Sequence, residues 1–448
     1  QYAFFPSVSA GWRVSQEPFW KVPEEIFSNL KVRASYGSLG NGNIDPYSFQ
    51  ELFKIKQSSL VLNGIRPQYT GQPAVIPLGL TWEKSTTLNL GLDFAFLSNR
   101  LQFSGDIYQR KTTDMFTVGM SLPAVFGTDV PKGNYADLTT KGFELSVSWR
   151  DQFQLASKPF NYEVRFTLAD YQSTIDKYNN PEKKLGDDYY YEGMKVGEIW
   201  GYETEGFFTS QADIDSHAKQ PYFYAGATAG QWLPGDIKFK DLNGDGVIDY
   251  GNNTVDNPGD QKIIGNSEPR FIYGINLSGD WNNFFVSAFF QGVGKQDWWP
   301  GSEASYFWGM YNRPYNDMPK SHLGNIWTEE NPNTYFPRLR GYSSEEPYAE
   351  LNLKQTRYLQ NIAYIRMKNI QLGYTLPKSF ISKLRMQNAK VYVSGENLWS
   401  WSPFYKYSKD LDVEAVRGSD RDLTEGTSGN GYSYPILKSV SFGLSVTF

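Results

Sequence analysis

From Ser439 onward the chain alternates strictly: Val440, Phe442, Leu444, Val446 and Phe448 fall on one side, and Ser439, Ser441, Gly443, Ser445 and Thr447 on the other. A period of two places every large apolar side chain on one face of an extended strand. In a soluble sandwich that face turns inward; in a membrane barrel it turns out to lipid. The same alternation recurs along the chain. It marks Phe4 to Val14, Leu30 to Leu39, Leu88 to Phe96, Leu101 to Ile107, Phe143 to Trp149 and Phe160 to Leu168. The hairpin FIYGINLSG-DWNN-FFVSAFFQG, then Ile370 to Leu376 and Ala389 to Trp399, bring the total to about eleven strands. Most are near ten residues long, as a tilted strand needs to cross a bilayer, whereas soluble strands more often run five or six.

The connectors decide between the two settings. In chain order short and long ones take turns: 15–29 then 40–80, 97–100 then 118–136, 151–159 then 172–265, 280–283 then 293–358, 377–388 then 400–435. Short turns at one rim and long loops at the other belong to an outer-membrane barrel, and a sandwich has no reason to sort its loops this way. The expected fold is therefore all-β, a transmembrane antiparallel β-barrel with its long loops outside the cell. Eleven strands beginning with an inward one leave two open edges, and unpaired backbone facing lipid is very costly. The chain is thus expected to be part of a larger barrel, and QYAFFPSVSAGW reads as a point inside a longer protein or a processed start.

Composition agrees. Aromatic residues make up 17% of the 448, yet the mean hydropathy is negative, a pairing that suits aromatic girdles around a wet interior. No run of eighteen apolar residues offers a transmembrane helix. A net charge of −5 gives no basic footprint for nucleic acid. With no cysteine and only His217 and His322, thiolate or histidine chemistry has little to stand on.

One loop has metal-ligand spacing. DLNGDGVID puts Asp241, Asn243, Asp245 and Asp249 at positions 1, 3, 5 and 9 of an EF-hand-like loop, with the Val247 carbonyl at 7 and Gly246 at the sharp turn. Oxygen donors suit Ca²⁺, so a calcium clip over 241–252 is one expectation. Position 12 is Asn252 where a bidentate Glu is usual, with Asn253, Asp256 or Asp260 as substitutes. The other expectation is an Asx-rich turn whose side chains cap their own backbone. The 293–358 loop opens with KQDWWPGSEASYFWGMYNRPY. Trp298, Trp299, Tyr306, Trp308, Tyr311 and Arg313, with Asp297 and Glu303, are candidates for contact with a substrate or a partner protein. Trp399, Trp401, Phe404 and Tyr405 read as an outer girdle or as further contact candidates, and Trp20, Trp149 and Trp281, beside short turns, as an inner girdle. Carboxylate pairs such as Asp187–Asp188 or Glu203–Glu205 carry no nucleophile motif, so no enzyme is expected.

Several segments resemble the SusC-like TonB-dependent transporters of Bacteroidetes outer membranes: FFPSVSAGWRVSQEPFW with LKVRASYGSLGNGNI, LTWEKSTTLNLGLDFAFLSNRLQFSGDIYQRKT, GDIKFKDLNGDGVID with KIIGNSEPRFIYGINLSGDWNNF, and YIRMKNIQLGYTLPKSFISKLRMQNAKVYVSGENLW with the final aromatic residue. The resemblance implies the C-terminal half of a 22-stranded barrel, with the plug domain and TonB box outside this chain. It further implies active import of an oligosaccharide or peptide, a SusD-like lipoprotein as lid, energy from the TonB complex, and a dimer of transporter–lid pairs. Phe448 matches the terminal Phe that such barrels present to the outer-membrane assembly machinery. A passive porin and a surface binding barrel are the alternatives.

Overall fold

The computed structural model describes residues 3–42, 50–71, 73, 75–76, 79–119, 125, 130–186, 189–221, 232–302, 304–313, 315–344, 349–416 and 434–448. Glu303 and the Asp187–Asp188 pair lie outside this set. One sheet of eleven strands runs the length of the chain: β1 Ser7–Arg13, β2 Phe27–Asn41, β3 Glu83–Phe96, β4 Leu101–Val118, β5 Lys132–Leu155, β6 Lys158–Lys177, β7 Arg270–Trp281, β8 Phe284–Lys295, β9 Tyr364–Thr375, β10 Asn388–Trp401 and β11 Ser439–Thr447. Each pairs antiparallel with the next in sequence, and among the described residues β1 and β11 pair on one side only. All eleven expected strands are present. β5 and β6 run well past the expected ends, from 132 and to 177 respectively. Their backbones go on pairing where the apolar alternation has stopped.

Register converts the local alternation into two continuous surfaces. Following directly paired residues from β2 to β11, one row reads Phe27, Phe96, Leu101, Trp149, Val164, Leu277, Ala288, Ile370, Gly395, Val440. A row on the other face, from β1 to β10, reads Arg13, Lys31, Asp93, Ser104, Ser146, Thr167, Gly274, Gln291, Arg366, Ser400. The first holds no polar side chain and the second no apolar one. Leu88, Leu90, Leu92, Leu372, Phe442 and Leu444 on the apolar face are exposed, Phe442 to 86%. A face so apolar and so open is satisfied by hydrocarbon.

The turns at the short-connector rim are tight. Ala156–Ser157 and Asn282–Asn283 each turn with both residues at positive φ (47° and 60°, 48° and 70°), the primed geometry that matches strand twist. Trp281 donates from Nε1 to the Leu155 carbonyl at 2.9 Å across this rim, and Trp149 to the Tyr162 hydroxyl at 3.0 Å.

One irregularity alters which side chains face inward. Asn369 pairs with Phe289 and Met367 with Phe290, so Lys368 is an extra residue, a β-bulge. Below it the even residues Ile370 and Leu372 share the apolar face. Above it Met367 pairs with Trp399 and Ile365 with Trp401 on that face, and Arg366 turns to the polar one.

Candidate functional site: a polar wall under a cap of packed loops

The polar face is knitted by ion pairs between neighbouring strands. Arg33 on β2 donates from Nε to Asp93 on β3 at 2.8 Å and from both terminal nitrogens to Asp106 on β4 at 2.9 and 2.8 Å. Gly91 lies between them, and a Cβ there would sit 2.6 Å from the guanidinium carbon, so the missing side chain is what lets Arg33 cross. Arg150 and Arg165 both reach Glu163, and Arg270 clasps Asp170 through two bonds of 2.6 Å. This is a charge-paired wall on the polar face of the sheet.

Above the wall, three long connectors fold together into a single apolar core. It takes Ile237, Phe239 and Ile248 from 172–265, Trp298, Phe307, Trp308, Tyr311, Phe336, Leu351 and Tyr358 from 293–358, and Phe404, Leu411, Val413 and Val416 from 400–435. Phe307 and Trp308 meet edge to face at 4.8 Å, and Phe336 stacks on Tyr358 at 5.9 Å. Each such ring contact contributes about 0.5–1.5 kcal/mol beyond the area buried. His322 packs at a tilt on Phe336 at 4.0 Å, bonds the Phe307 carbonyl, and is held below the ordinary imidazole range by burial.

This placement divides the aromatic candidates. Trp298, Trp308 and Tyr311 are interior residues of the cap, 4%, 0% and 0% exposed; Tyr311 donates its hydroxyl to the Pro337 carbonyl, and Trp308 its Nε1 to the Gly301 carbonyl. They hold the cap and present no face to a ligand. Tyr306 and Arg313 are exposed, and Trp299 is half-buried. Asp297 accepts from the Asn266 backbone at 2.9 Å and pairs in a short strand with Asn361.

Ion pairs fasten the cap, and no local sequence signal announces them. Asp236 is fully buried and accepts from Arg338 at 2.5 Å and Arg340 at 2.6 Å, while Glu350, also fully buried, takes the Ile237 backbone N–H at 2.9 Å. Burial pushes the Glu350 carboxyl up to about 7, the nearby Asp236 charge adds to this, and Arg340 opposes it. A second set ties 400–435 to the wall: Arg366 on β9 reaches Asp412 at 2.7 Å and Glu414 at 2.8 Å, and Lys368 reaches Glu414 at 2.5 Å. The bulge is what aims Arg366 at these carboxylates.

The 241–252 loop closes through its own side chains. Asp241 accepts from the N–H groups of Gly244 (2.6 Å) and Gly246 (2.9 Å), Asn243 from Asp245 (2.9 Å), Asp245 from Val247 (2.8 Å) and Asp249 from Gly251 (2.7 Å). Buried Asp260 closes the base, accepting from Leu242 at 2.7 Å and Asp249 at 2.9 Å, and burial raises its carboxyl. Among the described residues no three His, Cys, Asp or Glu side chains converge to hold a metal ion. These bonds are those of an Asx-rich turn.

Sequence reading also passed over a cavity of about 350 Å³ between 185–202, 250–261 and 352–354, lined by Tyr189, Tyr191, Trp200, Tyr202, Tyr250 and Glu198 among others. Its tyrosines are scattered through irregular loops, where no period collects them. Phe448 stands one residue beyond β11 and is 77% exposed.

A belted antiparallel sheet with a charge-paired inner wall and a folded loop cap defines an outer-membrane barrel of the receptor class. The family described as TonB dependent receptor-like, beta-barrel matches residues 1–398, and the chain belongs to that family. It is 28% identical over 470 residues to TonB-dependent receptor P3 of Formosa agariphila, covering all of this chain and 42% of that protein. It is 24% identical over 474 residues to TonB-dependent receptor SusC of Bacteroides thetaiotaomicron, covering all of this chain and 40% of SusC. The chain thus spans about two-fifths of the length of these curated relatives. The RagAB peptide importer in its closed-closed state shares the fold at a TM-score of 0.72 and 20% identity, over all of this chain and 44% of that one. The protein is a SusC-like outer-membrane β-barrel.

Proposed function

We propose that this chain forms the loop-capped part of a transporter that actively imports a bulky nutrient, an oligosaccharide or a peptide, across the outer membrane. A SusD-like surface lipoprotein closes over the long loops, and the TonB complex supplies energy through parts of the protein outside this chain. The observation that carries this reading is the cap: three connectors share one apolar core and are tied by Arg366 to the polar wall. A passive pore has no use for so large a folded structure over its mouth. Tyr306, Arg313 and Trp299 contact substrate or lid from the accessible side of the cap, and Trp298, Trp308 and Tyr311 hold the shape behind them. Phe448 serves barrel assembly, and no catalytic role is assigned to any residue.

The test is uptake of labelled oligosaccharides and peptides by cells with and without the intact receptor, with the inner membrane energised or uncoupled. Receptor-dependent uptake that stops on uncoupling is the expected result. Uptake that persists on uncoupling means a passive porin, and surface binding with no uptake means a binding barrel. Co-purification of a lipoprotein, lost when 293–358 is replaced by a short linker, checks the lid.

A further inference from the structure

The connector between β2 and β3 carries a hairpin that the rest of the fold leaves uncovered. Ile55–Gln57 pairs with Gln68–Thr70, and Leu62 and Ile65 exchange both backbone bonds, at 2.9 and 3.0 Å, around Asn63 and Gly64 at φ 49° and 77°. Ser58 N–H donates to the Pro67 carbonyl, and Leu60 N–H to the Ser58 hydroxyl. Among the described residues every hydrogen bond of 51–71 stays inside this hairpin. Yet Leu52, Phe53, Ile55, Leu60, Val61, Leu62, Ile65 and Tyr69 are each more than half exposed. An isolated two-stranded hairpin is marginal in water, and strands of three residues weaken it further.

The distribution of apolar side chains says what covers it. A groove on another protein needs an apolar stripe along the stem, and the stem has none. Ile55 shares its face with Gln57, Gln68 and Thr70, and the other face pairs Lys56 with Tyr69. The apolar side chains collect at the tip instead, in Leu60, Val61, Leu62 and Ile65, where the closed turn leaves the Leu62 and Ile65 backbone groups satisfied. The N–H groups of Val61, Asn63 and Gly64 have no bond among the described residues, so the tip suits the wet boundary of headgroups and acyl chains and not the hydrocarbon core. Behind the tip stand Lys54, Lys56 and Arg66, and Glu51 is the one acid in 51–71. Cations just behind an apolar tip match the depth of lipid phosphates.

We propose that this hairpin dips end-on into the phosphate-bearing surface of the membrane that holds the barrel, with Leu60, Val61, Leu62 and Ile65 at the boundary of headgroups and acyl chains and Lys56 and Arg66 at phosphates. It is a second membrane contact, separate from the strand belt and independent of what the barrel carries.

The described chain has no cysteine, so Leu62→Cys, with Val61→Cys as a second reporter, can carry an environment-sensitive fluorophore in the intact receptor freed of other reactive thiols. The receptor is reconstituted in vesicles of phosphatidylethanolamine with phosphatidylglycerol. The expected result is quenching by spin-labelled acyl chains and protection from aqueous iodide. Lys56→Glu and Arg66→Glu are each expected to lower the inserted population on the order of fivefold, the ratio equivalent to roughly 1 kcal/mol per cation at an anionic surface. Quenching by iodide and not by lipid overturns the proposal. So does protection from both quenchers, which means a protein covers the tip.

Discussion

Trp401 and Trp308 are the same side chain in opposite settings. Trp401, on β10, is 56% exposed and faces the membrane side of the sheet; Trp308, in the cap, is wholly buried. The sheet turns its apolar residues out, and the cap gathers its apolar residues within. One aromatic-rich composition therefore serves two solvents, and the period of the pattern separates them. Strands sort apolar side chains by alternation, whereas the cap gathers them from stretches with no period at all. The sheet takes its order from backbone pairing plus lipid, and the cap takes its order from apolar packing fastened by buried ion pairs.

The contrast breaks most sharply at the centre of the cap. Trp308→Ala is expected to cost about 3–5 kcal/mol locally, as for other large aromatics removed from a core. Limited proteolysis should then cut within 293–363, while the sheet keeps its heat-resistant electrophoretic mobility. Loss of both together would mean that cap and sheet fold as one unit. The converse change, Leu372→Lys, puts a charge on the lipid face, at about 2–4 kcal/mol near the midplane. It should lower barrel stability in vesicles and leave the cap's proteolytic pattern alone.

A smaller effect follows from Glu350. Its folded carboxyl titrates near 7, above the ordinary value of 4.5, so the folded cap binds the proton more tightly than the unfolded chain. Stability is then fully present below about 4.5 and is lost as pH rises through about 7, a span on the order of 3 kcal/mol. The cap should resist protease better at pH 5.5 than at pH 8, and Glu350→Gln should flatten that difference. A pH response unchanged by the substitution would assign it to other groups. Smallest is the 241–252 loop. Asp241→Ala with Asp245→Ala removes four exposed side-chain bonds to backbone N–H groups or Asn243, at about 0.5 kcal/mol each, and should expose this loop to protease. Because the loop closes on itself, a chelator alone should change nothing; a chelator-induced cut there would point to a bound cation.

Much of the sheet was legible in the sequence, because lipid contact forces a period of two and each strand carries its own. Strand ends were less so: β5 and β6 continue as polar pairs once outside the belt, and polar pairing has no apolar signature. The cap was illegible for a physical reason. Ile237 and Glu350 meet 113 residues apart in sequence, and neither residue's neighbours hint at the other. The aromatic density of 293–358 was visible, but density alone does not separate a stacking platform from a core. Burial separated them, sending Trp298, Trp308 and Tyr311 inside and leaving Tyr306 and Arg313 outside. The Asp241 spacing was visible too, and its two readings use the same residues.

The extra residue at Lys368 shifts β9 by half a repeat, and one strand thereby obeys two opposite rules. A slip that gave Lys368 an ordinary paired place would invert the parity above it: a guanidinium swings toward the oily exterior while a thioether is drawn into the wet interior. The loop that carries Asp412 and Glu414 then loses its anchor. A slip of this kind adds no bulk and opens no cavity, yet it should unhitch the mouth of the barrel from its wall.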